Sequence, residues 1–215
     1  MMAEPEATRY GLALHTTSPQ FGLALSDGVG TPRSRVWDLG RELSVHMHRL
    51  LAEFLPPQTW QDLAFLAVAN GPGSFTGTRI GVTAARVLAQ QLDIPLFSLS
   101  ALAAFLQMTV ADAAPNELVA IQLPARRQQV FAAIYRRSSD GRTWQTWRTE
   151  TAIAPEQWQQ ELAAIAPPIR LLEAPENLGD TVTGLLELAR WEWAQGTRSH
   201  WSDAVPFYGQ HPVET

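Results

Sequence analysis

The chain has 215 residues, 46% of them hydrophobic and only 17% charged, with a formal net charge of −5. It contains no cysteine, and all 16 of its basic residues are arginine, so it has no lysine either. A disulfide, an iron–sulfur cluster, a cysteine zinc site, a thiolate nucleophile, a Schiff-base lysine and a phosphate-loop lysine are therefore excluded within it. Any catalysis would rest on carboxylates, histidines, hydroxyls, arginines or backbone amides. The size fits one large or two small globular domains burying roughly 70% of the unfolded surface. Mild acidity argues against a general nucleic-acid surface. No apolar run approaches the roughly 18 residues of a membrane span, so no membrane association and a cytoplasmic location are expected.

Residues 1–9 carry two glutamates and a proline and read as a disordered lead-in. Tyr10 to Leu14 is a short apolar strand, and His15-Thr16-Thr17-Ser18-Pro19 turns the chain. Phe21 to Ser26 is a second strand, ended by the hairpin signal Asp27-Gly28, and Ser34 to Leu39 a third. A helix is predicted from Arg41 to Leu55, with Leu43, Met47, Leu50, Leu51 and Phe54 on one face and Pro56-Pro57 stopping it. Ala64 to Ala69 reads as a strand buried on both faces. After a Gly-rich turn come a helix from Thr78 to Leu92, a strand from Leu96 to Leu99, and a helix capped by Ser100 that ends near Met108.

The second half repeats most of that order without repeating the sequence. Strands are predicted at Glu117–Leu123, Gln129–Arg136 and Thr143–Thr149, a helix from Pro155 to Ile165, a strand at Ile169–Leu172 and a helix from Asp180 to Ala194. Three antiparallel strands feeding parallel strand–helix units predict an α/β protein of two tandem ribonuclease H-like lobes. That is the architecture of the actin-like, Hsp70 and sugar-kinase (ASKHA) superfamily. The first lobe is expected at residues 10–108, a smaller divergent lobe at 109–202 and an irregular tail at 203–215. Fold alone does not give function.

The most informative segment is Asn70-Gly71-Pro72-Gly73-Ser74-Phe75-Thr76-Gly77-Thr78-Arg79-Ile80-Gly81. Between a buried strand and a helix, its amides could receive an anion. Its glycine spacing is one residue too long for a dinucleotide fingerprint, and no lysine makes it a phosphate loop. It equally reads as a tight strand-to-helix turn with Ser74 or Thr76 capping the helix. No nucleophile elbow is formed, because the glycine after Ser74 is Gly77.

These residues resemble the bacterial TsaB (YeaZ) family. The resemblance rests on the Gly71–Gly77 loop with Thr78-Arg79-Ile80-Gly81-Val82, then Ala84-Ala85-Arg86, Leu88-Ala89, Ile94-Pro95-Leu96 and Ser98-Leu99-Ser100-Ala101-Leu102. It covers residues from about Tyr10 to Phe105 and is weak beyond Val130. It implies a non-catalytic subunit of the complex that forms N6-threonylcarbamoyladenosine at position 37 of ANN-decoding tRNAs. Its implied partners are TsaD, which holds the metal and transfers the group, and the small ATPase TsaE, with tRNA met indirectly through the complex. It further implies that the helices at Arg41–Leu55 and Thr78–Leu92 supply the pairing surface. Candidate interface residues are then Leu43, Met47, Leu50, Phe54, Gly71, Pro72, Gly73, Ser74, Phe75, Thr76, Gly77, Arg79 and Arg86. No catalytic, cofactor or metal residue is expected in this chain itself, although ATP or ADP could be shared at the junction with TsaD. A homodimer is a further expectation for the isolated chain, should its apolar stripe lie exposed. The alternative is an independent actin-like ATPase or sugar kinase.

Departures from the family bear on catalysis. Where relatives commonly have Asp-Thr-Ser after the first strand, this chain has His15-Thr16-Thr17, and neutral imidazole does not replace a carboxylate on a hard cation. Leu43-Ser44-Val45 stands for His-Ser-Glu, Pro124-Ala125-Arg126 for Asp-Ala-Arg, and Tyr208-Gly209-Gln210 for the terminal Tyr-x-Arg. His15, His46, His48, His200 and His211 form no metal-ligand spacing and are expected to be solvated. Asp27, Asp38, Asp62 and Asp93 fall at turns or element ends, with no acid–base pair evident. Trp144 and Trp147, three apart on one strand, should face opposite sides, and the tryptophans read as packing residues.

Overall fold

The computed structural model describes residues 9–166 and 168–209. Most of the expected lead-in and the end of the tail, with His211 and Gln210, lie outside the described residues. Strands β1 (Tyr10–His15), β2 (Gln20–Ser26) and β3 (Arg33–Asp38) form the antiparallel meander. The β2–β3 turn is held locally, since Ser26 Oγ accepts from Gly28 N and Asp27 Oδ1 from Val29 N. A one-turn 3-10 segment leads into α1 (Leu43–Phe54). Then follow β4 (Leu63–Ala69), α2 (Phe75–Leu92), β5 (Leu96–Leu99) and α3 (Ala101–Thr109).

The first sheet has the order β3-β2-β1-β4-β5, with β1, β4 and β5 parallel. This is the ribonuclease H-like order that the strand pattern predicts. Alternation decides which layer covers which face. Leu12, Leu14, Phe21, Leu23 and Leu25 turn towards α1 and α2, while Ala13 and Ala24 belong to a core on the opposite face.

The second sheet is built from β6 (Leu118–Pro124), β7 (Val130–Arg137), β8 (Trp144–Ile153) and β9 (Arg170–Glu173), in the order β8-β7-β6-β9. Helix α4 (Pro155–Ala163) lies on its outer face, where the fully buried Trp158 packs with Ala120, Ala132 and Ile134. After β9 the chain enters α5 (Val182–Ala194) rather than a fifth strand. Although α5 comes from the second half of the sequence, it packs on β1 and β2 and against α3. One continuous core therefore runs from Ala13 and Phe65 through α3 and α5 to Val119 and Ile121.

Two contacts tie the lobes further. Tyr135 on β7 donates to Glu150 on β8, and its oxygen lies 3.0 Å from Ser100 Oγ, the cap of α3. Burial foremost, then the Glu150 carboxylate, holds the Tyr135 phenol well above its ordinary pKa, so it stays a donor. The segment after α5 returns to the first lobe: Leu96 N donates to Ser199 O, and Phe207 N to Asn70 O at 2.7 Å. Apart from a single 3-10 turn at Trp201–Asp203, this tail has no helix or strand up to Gly209.

Candidate functional site

The Gly-rich turn sits where β1 and β4 end and α2 begins. Helix α2 starts at Phe75, three residues before its predicted start, because Ser74 Oγ accepts from Gly77 N and caps it. The turn is pressed against the β1–β2 connection. Ser74 N donates to Thr17 O at 2.6 Å, and Thr16 Oγ1 donates to Gly77 O at 2.9 Å. A Cβ on Gly73 would stand 2.0 Å from the Thr17 carbonyl oxygen, and one on Gly77 2.2 Å from that of Thr16. The glycines thus serve close backbone approach, and carbonyl oxygens occupy the ground beside the positive end of α2.

His15, at the end of β1, is fully buried, and neither ring nitrogen has a hydrogen-bond partner. Burial lowers its pKa from 6.5 to about 3, so the ring is neutral at neutral pH. The expectation of a solvated histidine is corrected here. His15 pairs across the sheet with Gly22, and a Cβ on Gly22 would meet Gly179 O at 2.0 Å and Val182 Cβ at 3.1 Å. The approach to α5 therefore roofs this row. His46 is half-buried, and His48 and His200 are exposed.

Between the lobes lies a cleft of about 620 Å³, walled by Thr17, Ser18, Gly73–Thr76, Arg126, Arg127 and Glu176, and by Phe207 and Tyr208 of the tail. A second depression, about 470 Å³, runs between α1 and α2 on the far side of the first lobe. Its floor and walls are Met47, Leu51, Ile80, Ala84, Val87 and Leu88, with Trp60, Thr83, His48 and Arg79 at its borders. Helix α2 carries apolar side chains on more than one face. Val82, Ala85 and Ala89 face the lobe's core, while Ile80, Ala84 and Leu88 are only partly covered and Val87 is 52% exposed. A surface helix that satisfies its own sheet with one face has no internal need for a second.

The candidate interface residues are thus dispersed. Leu43, Met47, Leu50 and Phe54, a stripe that could meet a partner or pack on the lobe's own sheet, are all buried in the lobe's own core. The amphipathic face of α1 is consumed by the apolar row of β1 and β2, and only Met47 of the four also reaches the groove. Gly71, Pro72 and Gly77 are buried, and Gly73, Ser74, Phe75 and Thr76 line the interlobe cleft. Arg79 alone of the set stands exposed at the groove, with Arg86 half-buried two turns along the same helix. The sequence reading missed Ile80, Thr83, Ala84, Val87 and Leu88, although the Ile80–Ala84–Val87 spacing is a helical stripe of its own. Trp144 and Trp147 do face opposite sides, at 7% and 46% exposure.

A family model described as TsaD, tRNA N6-adenosine threonylcarbamoyltransferase, matches residues 41–170. The chain is similar to the tRNA threonylcarbamoyladenosine biosynthesis protein TsaB of Bacillus subtilis (strain 168), with 42% identity over 130 residues, 58% of this chain and 54% of that protein. It is also similar to TsaB of Escherichia coli (strain K12), with 36% identity over 99 residues, 44% of this chain and 40% of that protein. The chain spans about half the length of the curated relatives it matches. Among solved structures, a Pseudomonas aeruginosa protein with similarity to peptidase YeaZ superposes with a TM-score of 0.76 at 22% identity, over 94% of this chain and 100% of the other. YeaZ from the same organism gives 0.74 at 22% identity, over 93% and 99%. These two likenesses establish the shared two-lobed α/β fold.

Proposed function

The chain belongs to the TsaB (YeaZ) family, within the relatives that the TsaD family model describes, and from that premise we propose that it is a non-catalytic scaffold subunit in the formation of tRNA threonylcarbamoyladenosine, pairing with TsaD. One observation carries the non-catalytic part. Where β1 ends beside the start of α2, at the edge of the interlobe cleft, the chain's own carbonyls face the helix start and the strand end carries no carboxylate. The Thr16 and Thr17 carbonyls face the start of α2, and a buried neutral His15 ends β1. Carbonyl oxygens repel the phosphates that a helix N-terminus would otherwise attract, and a fully buried imidazole stands where a hard cation would need a carboxylate. The apolar groove between α1 and α2 supports the pairing, because it presents partly covered side chains that the chain's own core does not need. A part in tRNA modification implies a cytoplasmic protein under this reading. Among the described residues no helix is long and apolar enough to cross a membrane.

The test is reconstitution with TsaD and TsaE from the same source. Modification of tRNA should depend on adding this chain, and the isolated chain should not hydrolyse ATP. Modification that proceeds equally well without it refutes the scaffold role. Robust metal-dependent ATP turnover by the purified chain instead favours an independent actin-like ATPase or sugar kinase.

A further inference from the structure

The turn between β6 and β7 is built from residues that strain it. Gln129 N donates to Arg126 O, and the two residues between them, Arg127 and Gln128, both have left-handed backbones, at φ +58° and +54°. Such tight hairpin turns are ordinarily made with Asn, Asp or Gly, because a Cβ on a left-handed residue crowds the following carbonyl. Strain kept where a relaxed residue would serve points to a use for the side chains outside the turn. Arg126 and Arg127 are both exposed at the wall that the second lobe gives to the interlobe cleft. Tyr208 of the tail borders the same cleft at 43% exposure, its ring 5.1 Å from that of Phe75. The tail is fixed there by Phe207, whose N donates to Asn70 O and whose ring lies 6.3 Å from that of Phe131. A ring held in place before a ligand arrives loses less freedom when it binds.

These groups suit different parts of one ligand. Guanidinium groups recognise an anion, and the exposed Tyr208 ring offers its face to a flat ring. The anion belongs on the second-lobe side, because the first lobe turns the Thr16 and Thr17 carbonyls towards the start of α2. Glu176 lines the cleft as well. Its carboxylate repels a free phosphate or an acidic peptide but accepts from the amino group on a base edge. Thr17, at 2% exposure on the cleft wall, has a hydroxyl with no hydrogen-bond partner among the described residues, a further polar group for a base edge to meet. A volume of about 620 Å³ suits a single nucleotide, and arginines exposed at the rim suit a ligand that continues beyond it. We propose that the cleft takes one unpaired nucleotide of an RNA chain directly, with a phosphate on Arg126 and Arg127, the base against Tyr208 and its edge at Glu176. The tRNA reading above supplies the RNA, and the inference rests on it to that extent.

The probe is the anticodon arm of an ANN-decoding tRNA from the same source, fluorescently labelled and titrated with the full-length chain, beside a duplex RNA of equal length. The chain should bind the arm, with its unpaired loop, in preference to the duplex. Tyr208→Ala should weaken that binding about fivefold or more. Arg127→Asn combined with Gln128→Gly suits the turn better than the native pair, so Tm should hold or rise while affinity for the arm falls. The slope of log K against log salt should also lose about 0.7, for one phosphate contact. A lower Tm with unchanged affinity would give the arginine a purely structural role and overturn the inference, as would equal binding of arm and duplex. Displacement of the arm by equimolar AMP would put a free nucleotide in the cleft, and displacement by a polyglutamate peptide an acidic partner; either overturns it. If no RNA is bound while tRNA modification still depends on the chain, this inference falls and the scaffold reading stands. If RNA is bound but modification proceeds equally well without the chain, the scaffold reading falls alone.

Discussion

His15 provides a measurement of how completely the end of β1 is sealed. Its pKa falls from 6.5 to about 3 because the ring is fully buried and unpartnered. Between those values the unfolded chain binds a proton at this residue and the folded chain does not. The folded state is therefore favoured in full above pH 6.5 and loses that advantage as pH falls towards 3. At pH 4 the shortfall is about 3 kcal/mol relative to pH 7.5, from roughly 1.4 kcal/mol per unit over about 2.5 units. That is a large share of the 5–15 kcal/mol typical of a domain. The control is His15→Leu, which cannot titrate there and leaves no orphaned nitrogen, so at pH 7.5 it should lie within about 1 kcal/mol of the wild type. Urea unfolding of both proteins from pH 7.5 to 4 cancels every other titrating group. The wild type should lose about 3 kcal/mol more than the variant over that range. Parallel stability profiles would refute the reasoning, since they would mean that the ring is hydrated or paired in the folded protein.

Four further outcomes follow from named positions, the first with its own control. Gly77→Ala places a methyl 2.2 Å from the Thr16 carbonyl oxygen; it should cost about 3 kcal/mol and lower Tm by roughly 6–12 °C. Gly30→Ala, with open space around it and only a φ of +73° to resist it, should cost about 1 kcal/mol, and equal losses would count against the close-packing role of the turn. Ser100→Ala removes the acceptor for Leu102 N and Ala103 N and a neighbour of the Tyr135 hydroxyl. Denaturant unfolding should register a loss of about 2 kcal/mol, and a neutral result would show that the cap is replaceable. Val87→Asp, at a position 52% exposed, should leave stability within about 0.5 kcal/mol while weakening association with TsaD in a pull-down titration. Met47→Asp, at 0% exposure, should instead unfold the lobe; a folded Met47→Asp variant would mean that α1 is not seated on the sheet as described.

Much was legible in the residues themselves, because local rules have local causes. The β2–β3 turn followed from Asp27-Gly28, the end of α1 from Pro56-Pro57, the cap of α3 from Ser100, and the sheet order from three short strands feeding parallel units. The family followed from the run around Gly71–Gly81. The use of each face was not legible. The stripe of Leu43, Met47, Leu50 and Phe54 has the same spacing whether it meets a partner or the lobe's own sheet, and only the apolar row of β1 and β2 decides that it is buried. The passage of α5 back onto the first sheet depends on contacts far apart in sequence.

The counts of zero cysteine and zero lysine removed whole chemistries without reference to any fold, since a side chain that is absent cannot act. That His15 stands where relatives commonly carry a carboxylate came from the resemblance to the family and not from the composition. What the tertiary structure alone decided is that the ring is sealed from water and that the turn beside it is filled by the carbonyls of Thr16 and Thr17. It also decided that the uncovered apolar surface lies on the second face of α2. The reason is physical. Composition fixes which groups exist, and periodicity fixes which of them share a face. Whether a face meets water, the core or a partner is set by how distant elements pack.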